Sequence, residues 1–339
     1  MGSQVPTSRR GEGKNHLTDN RPPQCSIVTR CYNEEQHIDR LLSGILQQTF
    51  KNVEIIIVDS GSTDDTLSIA SRYPVKILSI PAEQFSFGRS LNLGCRVATG
   101  EFIVVASAHV YPVYKDWLER LVAPFADSRI ALVYGKQRGN ETTKYSEHQI
   151  FTKWFLDKST SNQDHPFCNN ANAAIRRSLW ERLPYNEDLT GLEDIDWAKR
   201  AMKLGYRITY VTDAEVLHLH RETMIRIYNR YRREAIALKR IFPEERFNLW
   251  DFIRLFTGNT LSDCYHAKRD GVLGRNLTDI FFFRLMQFWG TYRGFSQHGP
   301  VTSRLKQTFY YPNDLSRPQS KVVAPDSSRR IEYIDHVSR

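Results

Sequence analysis

The chain has 339 residues, 40% of them hydrophobic and 25% charged, a balance that excludes wholesale disorder and gives enough length for a large α/β domain with an appendage. A net charge of +9 favours anionic partners such as nucleotide diphosphates, lipid-linked pyrophosphates or an acidic membrane. With no long basic run and no zinc-knuckle, RNP or helix-turn-helix pattern, nucleic acid is not expected as a partner.

Residues 1–24 are rich in Gly, Ser, Pro and Asn without apolar periodicity and read as a flexible tail. Arg9, Arg10, Lys14 and Arg21, with no apolar run beside them, do not fit a secretory signal. A strand over Ser26 to Thr29, a helix over Glu34 to Gln48 with Ile38, Leu41, Leu42 and Ile45 at helical spacing, and a buried strand over Val53 to Val58 are expected next. A helix over Leu67 to Tyr73, a strand over Val75 to Ile80, a helix over Ser90 to Ala98 and a strand over Glu101 to Ala106 continue the alternation of a parallel sheet. After Pro112 come a helix over Trp117 to Phe125, a strand over Ile130 to Tyr134 and a polar excursion from Lys136 to His165 of the kind that shapes binding sites. An edge strand over Ala171 to Arg176, a helix over Ile195 to Leu204 ended by Gly205, and short strands over Tyr206 to Tyr210 and Ala214 to His220 complete this part.

From Glu222 the chain turns to helices rich in arginine and aromatics. Tyr228, Tyr231, Ala235, Leu238 and Phe242 mark one helical face amid Arg226, Arg230, Arg233 and Lys239, and Leu277 to Phe295 is a second amphipathic stretch. Packing on the main domain, or homo-oligomer formation through these helices, is the plainer reading, with peripheral contact to an anionic membrane as the alternative. Residues 302–339 read as a tail. The five cysteines are scattered without a CxxC pair, which suits a reducing compartment. No apolar run is long enough to span a bilayer, so a cytoplasmic chain, at most resting on the inner face of the plasma membrane, is expected.

The run VEIIIVDSGSTDDT over 53–66 reads as a buried strand ending on an acidic, hydroxyl-rich turn, where open α/β sheets place a ligand. A carboxylate at Asp59 suits a ribose hydroxyl or a base N–H, while capping of the following helix is the alternative. Together with CSIVTRCYNEE from Cys25 and GLEDIDWAKR from Gly191, in this order and spacing, that run resembles signatures of the family 2 glycosyltransferases. The resemblance covers residues 25–222, which it makes the catalytic domain, with a helical region over 223–301. It implies an A-type glycosyltransferase fold: an α/β domain with a mixed, mostly parallel central sheet, plus the C-terminal helical appendage.

The resemblance implies that Thr29, Tyr32 and Glu34, with Asp59 and Ser60, surround the base and ribose of a nucleotide-sugar donor. The run FSFGRSLN from Phe85 resembles the family's Gly-x-x-x-Asn region, and rhamnosyltransferases in particular. It sets Arg89 and Asn92 on one helix face toward the donor; an ion pair for Arg89 and a capping role for Asn92 are the alternative. Where the family carries Asp-x-Asp, this chain has Ser107, Ala108 and His109, so Ser107 and His109 fall at the diphosphate. Loss of both carboxylates weakens the case for Mg2+, while an imidazole suits Mn2+ better, and the need for a metal stays open. His218 and His220 alternate onto one face of a strand. The resemblance implies that His109 and His220 either hold Mn2+ or donate directly to phosphate beside Arg221; backbone-bonded histidines are the alternative.

Glu193 and Asp194 stand at the start of a helix, where backbone N–H groups favour a carboxylate. The resemblance makes Asp194 the base for the acceptor hydroxyl and Glu193 its orienting partner, with helix capping as the alternative. Asn169, Asn170 and Asn172 fall where the family faces donor sugar and acceptor, and Tyr134, Lys136 and Gln137 follow another strand end. The expected activity is inverting transfer from a UDP- or dTDP-sugar to a glycan or lipid-linked acceptor in surface polysaccharide synthesis. A non-catalytic nucleotide-sugar-binding scaffold is the alternative, and retention of Glu193 and Asp194 argues against it. No GxxxxGK[ST] loop supports a nucleotidyltransferase.

Overall fold

A computed structural model describes residues 24–220, 222–310 and 331. The chain opens with β1 (Cys25–Cys31), α1 (Ile38–Leu46), β2 (Val53–Asp59), α2 (Thr66–Ala70), β3 (Val75–Ser79), α3 (Phe87–Val97), β4 (Phe102–Ala106) and β5 (Val110–Pro112). It continues through α4 (Trp117–Val122), β6 (Ile130–Arg138), α5 (Tyr145–Trp154), β7 (Asn172–Arg176), α6 (Arg177–Arg182), α7 (Glu193–Lys203) and β8 (Arg207–His218). Four helices follow: α8 (Met224–Ile241), α9 (Leu249–Arg269), α10 (Leu273–Phe295) and α11 (Ser303–Tyr310).

Among the described residues eight strands form one sheet in the order β3-β2-β1-β4-β7-β6-β8-β5. The pairs β2–β3, β1–β2, β1–β4 and β6–β8 are parallel, while β7 runs against both neighbours and β5 against β8. Both faces are covered, which is why the strands read as continuous apolar runs rather than alternations. Ile55 and Ile57 of β2 pack with Leu41 and Leu42 of α1 on one side. Ile56 and Val58 join the cluster of Leu91 and Trp197 on the other. The carboxyl ends of β1, β2, β4, β6 and β8, with the amino ends of β7 and β5, share one edge of the sheet, the crevice where such sheets bind ligands.

Several expectations are corrected. The segment expected as an edge strand is β7, a five-residue strand in the sheet interior between β4 and β6, whose run of small apolar residues does not distinguish a central from an edge position. The two expected strands after α7 are one strand, β8, that carries a register shift against β6. The polar excursion holds the end of β6 and the helix α5, whose inward face includes Ser146 and Glu147, so an apolar stripe is lacking. Helix α1 starts at Ile38, which leaves Glu34 in a loop. Helices α6 and α9 and the three-residue β5 were not anticipated.

The tail expected beyond 302 contains α11, where Tyr310 meets the rings of Phe85 and Phe87 at 5.0 and 5.4 Å. The Ile331 N–H donates to Val113 O at 3.3 Å. The expected tail over 1–24 lies outside the described residues except for Gln24, whose N–H donates to Asn52 O. All five cysteines are free.

The C-terminal helices are fastened to the α/β domain. Lys239 Nζ donates to Phe295 O, linking α8 to α10, and Thr190 Oγ1 donates to Arg233 O, linking α8 to the segment before α7. A buried Arg284–Asp263 pair at 2.7 Å joins α10 to α9, and Arg284 also donates to Ser146 O of α5. Helix α10 meets α8 at Gly290 and Gly294, where an added Cβ would lie 2.5 Å from Tyr228 O and 2.5 Å from Arg232 O. Only glycine permits that approach.

Candidate active site

At the ends of β1 and β2 two loops are laced together. The Asn33 N–H donates to Ser62 Oγ at 2.9 Å, and Asn33 Oδ1 accepts from the Thr63 N–H at 2.8 Å. The Glu34 N–H donates to Thr66 Oγ1 at 2.7 Å. Asn33 takes φ 54°, a left-handed conformation that Asn tolerates better than most residues. Asp59 is 2% exposed and accepts from the Gly61 N–H at 2.9 Å, the Ser62 N–H at 3.1 Å and the Ser62 hydroxyl at 2.5 Å. Its carboxylate therefore shapes the turn and does not cap α2, which starts at Thr66. A carboxylate has about four acceptor sites, so a further donor can still be met. Ser60 donates from its N–H and hydroxyl to Cys31 O, at 3.0 and 3.2 Å. Tyr32 is half-buried beside this clasp. Thr29 is a correction: it is fully buried inside β1, with no hydrogen bond to its hydroxyl, and is not exposed to a ligand.

Arg89 and Asn92 point the same way, as expected, but toward Glu187. Arg89 Nε donates to Glu187 Oε2 at 2.8 Å. Asn92 Nδ2 donates to Tyr185 O and Glu187 Oε1, and Asn92 Oδ1 accepts from Trp180 Nε1 and the Tyr185 N–H. All four bonding positions of the Asn92 amide are filled. In the structure the pair anchors the segment before α7: Arg89 makes the ion pair given as its alternative, and Asn92, 2% exposed, is spent on Glu187, Tyr185 and Trp180 rather than left free for a donor.

The loop after β4 brings Ser107 and His109 to the crevice. His109 Nδ1 bonds Glu34 Oε1 at 2.8 Å, and Ser107 Oγ lies 3.1 Å from His109 Nε2. Burial would lower the basicity of His109, but the Glu34 charge and hydrogen bond more than reverse this and raise it. His218, at the end of β8, stacks on His109 with ring centroids 5.1 Å apart. Its Nδ1 meets Gln137 Oε1 at 2.7 Å, and its buried Nε2 has no partner. Burial, and then the charges of His220, His109 and Arg230, push His218 well below the usual imidazole range. His220 Nδ1 meets Glu147 Oε1 at 2.7 Å. One nitrogen from each of the three rings lies within 4.8 Å of the others. The backbone-bonded alternative for these histidines is not what the structure shows. Arg221, expected beside them, lies outside the described residues.

Arg230 of α8 is held between Glu147 at 3.1 Å and Glu222 at 2.9 Å. Although burial alone would raise it, His220 and Arg230 hold the Glu147 carboxyl down at about 2. Neither Glu147 nor Arg230 is singled out in the sequence: Glu147 lies inside the polar excursion of 136–165 without a motif of its own, and Arg230 is one of several arginines at helical spacing.

Glu193 and Asp194 open α7 after Leu192, which has φ 57°. Asp194 accepts from the Asn170 N–H at 2.9 Å and the Ile195 N–H at 2.8 Å. Burial, reinforced by the neighbouring Glu193 charge, pushes its carboxyl up to about 7. Arg30 reaches Glu193 Oε1 at 3.2 Å, and its charge is felt at both Asp194 and His109, tying the acid pair to the histidines. The Phe87 ring carries two guanidinium groups, Arg30 at 4.5 Å and Arg233 at 4.4 Å from its centroid. Such contacts orient the cations without neutralising them. Arg30 lies within the first signature and Asn170 within the amide cluster noted in the sequence, whereas Arg230 and Arg233 enter the site only through contacts distant in sequence. Of the other amides, Asn172 is structural, binding Trp117, Lys136 and Ala214, and Asn169 bonds the Ala171 N–H.

The crevice thus combines a clasped turn, a raised carboxyl and an outward-facing set of cations and imidazoles, the groups needed to hold a nucleotide diphosphate and deprotonate a hydroxyl. Residues 26–183 match the family model "Glycosyl transferase family 2". The O-antigen chain rhamnosyltransferase WbaN of Salmonella anatum is 31% identical over 221 residues, covering 62% of this chain and 70% of that protein. The O-antigen chain rhamnosyltransferase RfbN of Salmonella typhimurium is 27% identical over 218 residues, covering 61% and 69%. In fold, the chain is similar to a mannosyltransferase from Pyrobaculum calidifontis solved with GDP-Man and Mn2+, with TM-score 0.55, 19% identity and coverage of 87% of this chain and 89% of that one.

Proposed function

The chain belongs to glycosyl transferase family 2, and from that premise we propose that it transfers a sugar, with inversion, from a UDP- or dTDP-sugar to a hydroxyl of a glycan or lipid-linked acceptor in O-antigen-type polysaccharide synthesis. It is a glycosyltransferase enzyme with an A-type fold. The observation that carries the mechanism is Asp194, a carboxyl poised near neutrality beside Glu193 at the rim of the strand-end crevice. A general base works best with a pKa near the working pH.

In this reading Asp194 takes the proton of the acceptor hydroxyl as its oxygen attacks the anomeric carbon. The bond from that carbon to the diphosphate breaks on the opposite face, and the nucleotide diphosphate leaves. Glu193, held by Arg30 and Asn170, orients the acceptor side. The turn of Asp59 and Ser60 with Tyr32 grips the nucleotide, while Glu34 reaches it through its hold on His109. Ser107, His109, Arg30 and Arg233 face the departing charge, an arrangement that stabilises it in the transition state. The orphaned Nε2 of His218 beside His109 and His220 fits a divalent cation, which when bound would supply further charge neutralisation at the diphosphate.

No helix among the described residues is long and apolar enough to cross a membrane. We assign the exposed Trp250, Ile253, Leu261, Tyr265, Phe281 and Phe282 of α9 and α10, with the exposed Arg254, Lys268 and Arg275 beside them, to contact with the lipid surface that carries the acceptor on the cytoplasmic side. Co-sedimentation with anionic vesicles, reduced for Trp250→Ser with Phe281→Ser, is expected.

The reaction is tested with a panel of nucleotide sugars, following donor hydrolysis and transfer for the wild type and Asp194→Asn. One donor should turn over, and the variant should lose about 10³-fold in kcat while its nucleotide affinity changes little. Nucleotide-sugar binding with no turnover by the wild type on any acceptor would instead favour the scaffold reading.

A further inference from the structure

We infer that Tyr310 of α11 is a positioning residue for the acid pair: its ring and hydroxyl brace, from the far end of the chain, the turn that presents Glu193 and Asp194. The inference rests on the transferase reading for what the acid pair does, while the bracing itself is a property of the fold.

The turn needs a brace. Leu192, directly before Glu193, has φ 57°. A bulky side chain enters this left-handed region at a cost, and such a residue persists only where its surroundings over-determine it. Upstream, the segment is seated on α3: Arg89 and Asn92 bind Glu187, and a Cβ added at Gly88 would collide with Asn186 O. Beyond Glu187 the holds come from the C-terminal helices. Arg240 Nη1 donates to Asp188 O at 3.0 Å, Thr190 Oγ1 donates to Arg233 O at 2.8 Å, and the Tyr310 hydroxyl donates to Thr190 O at 3.4 Å. Thr190 is thus fixed through its side chain by α8 and through its carbonyl by α11, two residues ahead of Leu192.

A second route runs through the rings. Tyr310 meets Phe85 and Phe87 edge to face, with interplanar angles of 77° and 85°. Such contacts are directional, so the Tyr310 ring fixes the Phe87 ring on which Arg30 rests at 4.5 Å. Arg30 in turn reaches Glu193 Oε1 at 3.2 Å. Phe309, 5% exposed beneath the Arg232 guanidinium of α8, anchors α11 in this place. Both routes from Tyr310 therefore end on the acid pair, one along the backbone at Thr190 and one through Phe87 and Arg30. Burial, opposed by the Arg233 charge and aided by that of Glu193, pushes the Tyr310 phenol up to about 12, so its hydroxyl stays protonated and able to donate.

The test compares the full chain with Tyr310→Ala, Tyr310→Phe and Asp194→Asn, and with Tyr145→Phe, which removes a hydroxyl bond to Asp270 between α5 and α9 as a control. Tyr310→Ala should lower kcat about 30-fold, because a reacting group displaced by a fraction of an ångström loses its alignment. Donor KM should stay within about twofold, since the turn at Asp59 is held by its own bonds. The two largest causes that raise Asp194 are burial and the Glu193 charge; the Asn170 and Ile195 N–H bonds and the Arg30 charge oppose them. Water admitted beside Glu193 weakens both raising causes, so the rising limb of kcat/KM should move to lower pH by about half a unit. Amide exchange over 186–196 should quicken about tenfold, with β2 as protected as before. Tyr310→Phe keeps the ring contacts and should return kcat to within about threefold of the wild type. Tyr310→Leu carries the expectations of the alanine variant should that one fail to fold. A folded Tyr310→Ala or Tyr310→Leu with the kcat and limb of the wild type, or a limb that moves equally in Tyr145→Phe, overturns the brace. Faster exchange over 186–196 in a chain whose Asp194→Asn variant transfers as well as the wild type refutes the role given to the acid pair alone. Loss of transfer in Asp194→Asn with Tyr310→Ala unchanged refutes the brace alone.

Discussion

The clasp at the ends of β1 and β2 and the histidine–arginine floor across the crevice solve opposite problems. In the clasp, Asp59, Ser62 and Asn33 satisfy one another and nearby backbone within two short segments. The floor draws Glu34, His109, Gln137, Glu147, His218, His220 and Arg230 from loops and helices far apart in sequence, and keeps ring nitrogens open. A self-satisfied turn gives shape, while an assembly with unspent valences gives binding. The difference teaches where to expect robustness: the clasp should tolerate loss of one bond, and the floor should not tolerate loss of one charge.

The largest effect should come from Arg230→Met. It leaves Glu147 and Glu222 without their shared cation, and breaking such a buried pair costs about 3 kcal/mol, read by urea unfolding near pH 7. Glu147 is held near 2 against an ordinary 4.5, so the stability it lends is complete above that ordinary value and is lost as pH falls toward 2. The deficit of the variant should therefore shrink in acid. A deficit independent of pH would break the comparison.

Next in size is a shift of the pH profile. Asp194 must be ionised to act as a base, so kcat/KM should rise with pH through about 7. The Arg30 charge favours that carboxylate, so Arg30→Met should move the rising limb upward, by about one unit. A limb left in place would detach Arg30 from the acid pair. The sign for stability is opposite to that of Glu147: a raised carboxyl weakens the fold as pH climbs from its ordinary value to 7, and no further above.

In the clasp, Asp59→Asn keeps one acceptor oxygen and should cost about 1 kcal/mol, with a modest rise in donor KM. A loss as large as that of Arg230→Met would erase the contrast. The smallest effect belongs to Arg89→Ala, whose ion pair with Glu187 is 46% exposed on the arginine side. It should change stability by no more than about 0.5 kcal/mol and leave donor KM unchanged; a raised KM would restore Arg89 to the donor site.

What was legible in the sequence follows the same division. The strand–turn of 53–66 and the acids at the start of α7 are local patterns, and the sheet's first half follows from its apolar runs. Helix α5 was hidden because Ser146 and Glu147 face inward, and β7 was placed at an edge because pairing on both sides leaves no mark in five residues. The grouping of Arg230 with Glu147 and His220 depends on how α8 lies against the sheet, which no spacing encodes. The sequence does not distinguish the structural amide of Asn92 from a ligand-binding one, because its partners Trp180 and Tyr185 are brought to it only by the fold.

The bare contact between α10 and α8 at Gly290 and Gly294 bears on how this chain can be recombined. With only backbone and the Ala235 methyl facing these glycines there is no flexible side chain to absorb a misfit, so α8 keeps its position, and with it Arg230 and Arg233, only against this particular α10. A chimera that exchanges the C-terminal region must carry both helices as one graft; cutting between them would transplant Arg230 and Arg233 without the backplate that aligns them.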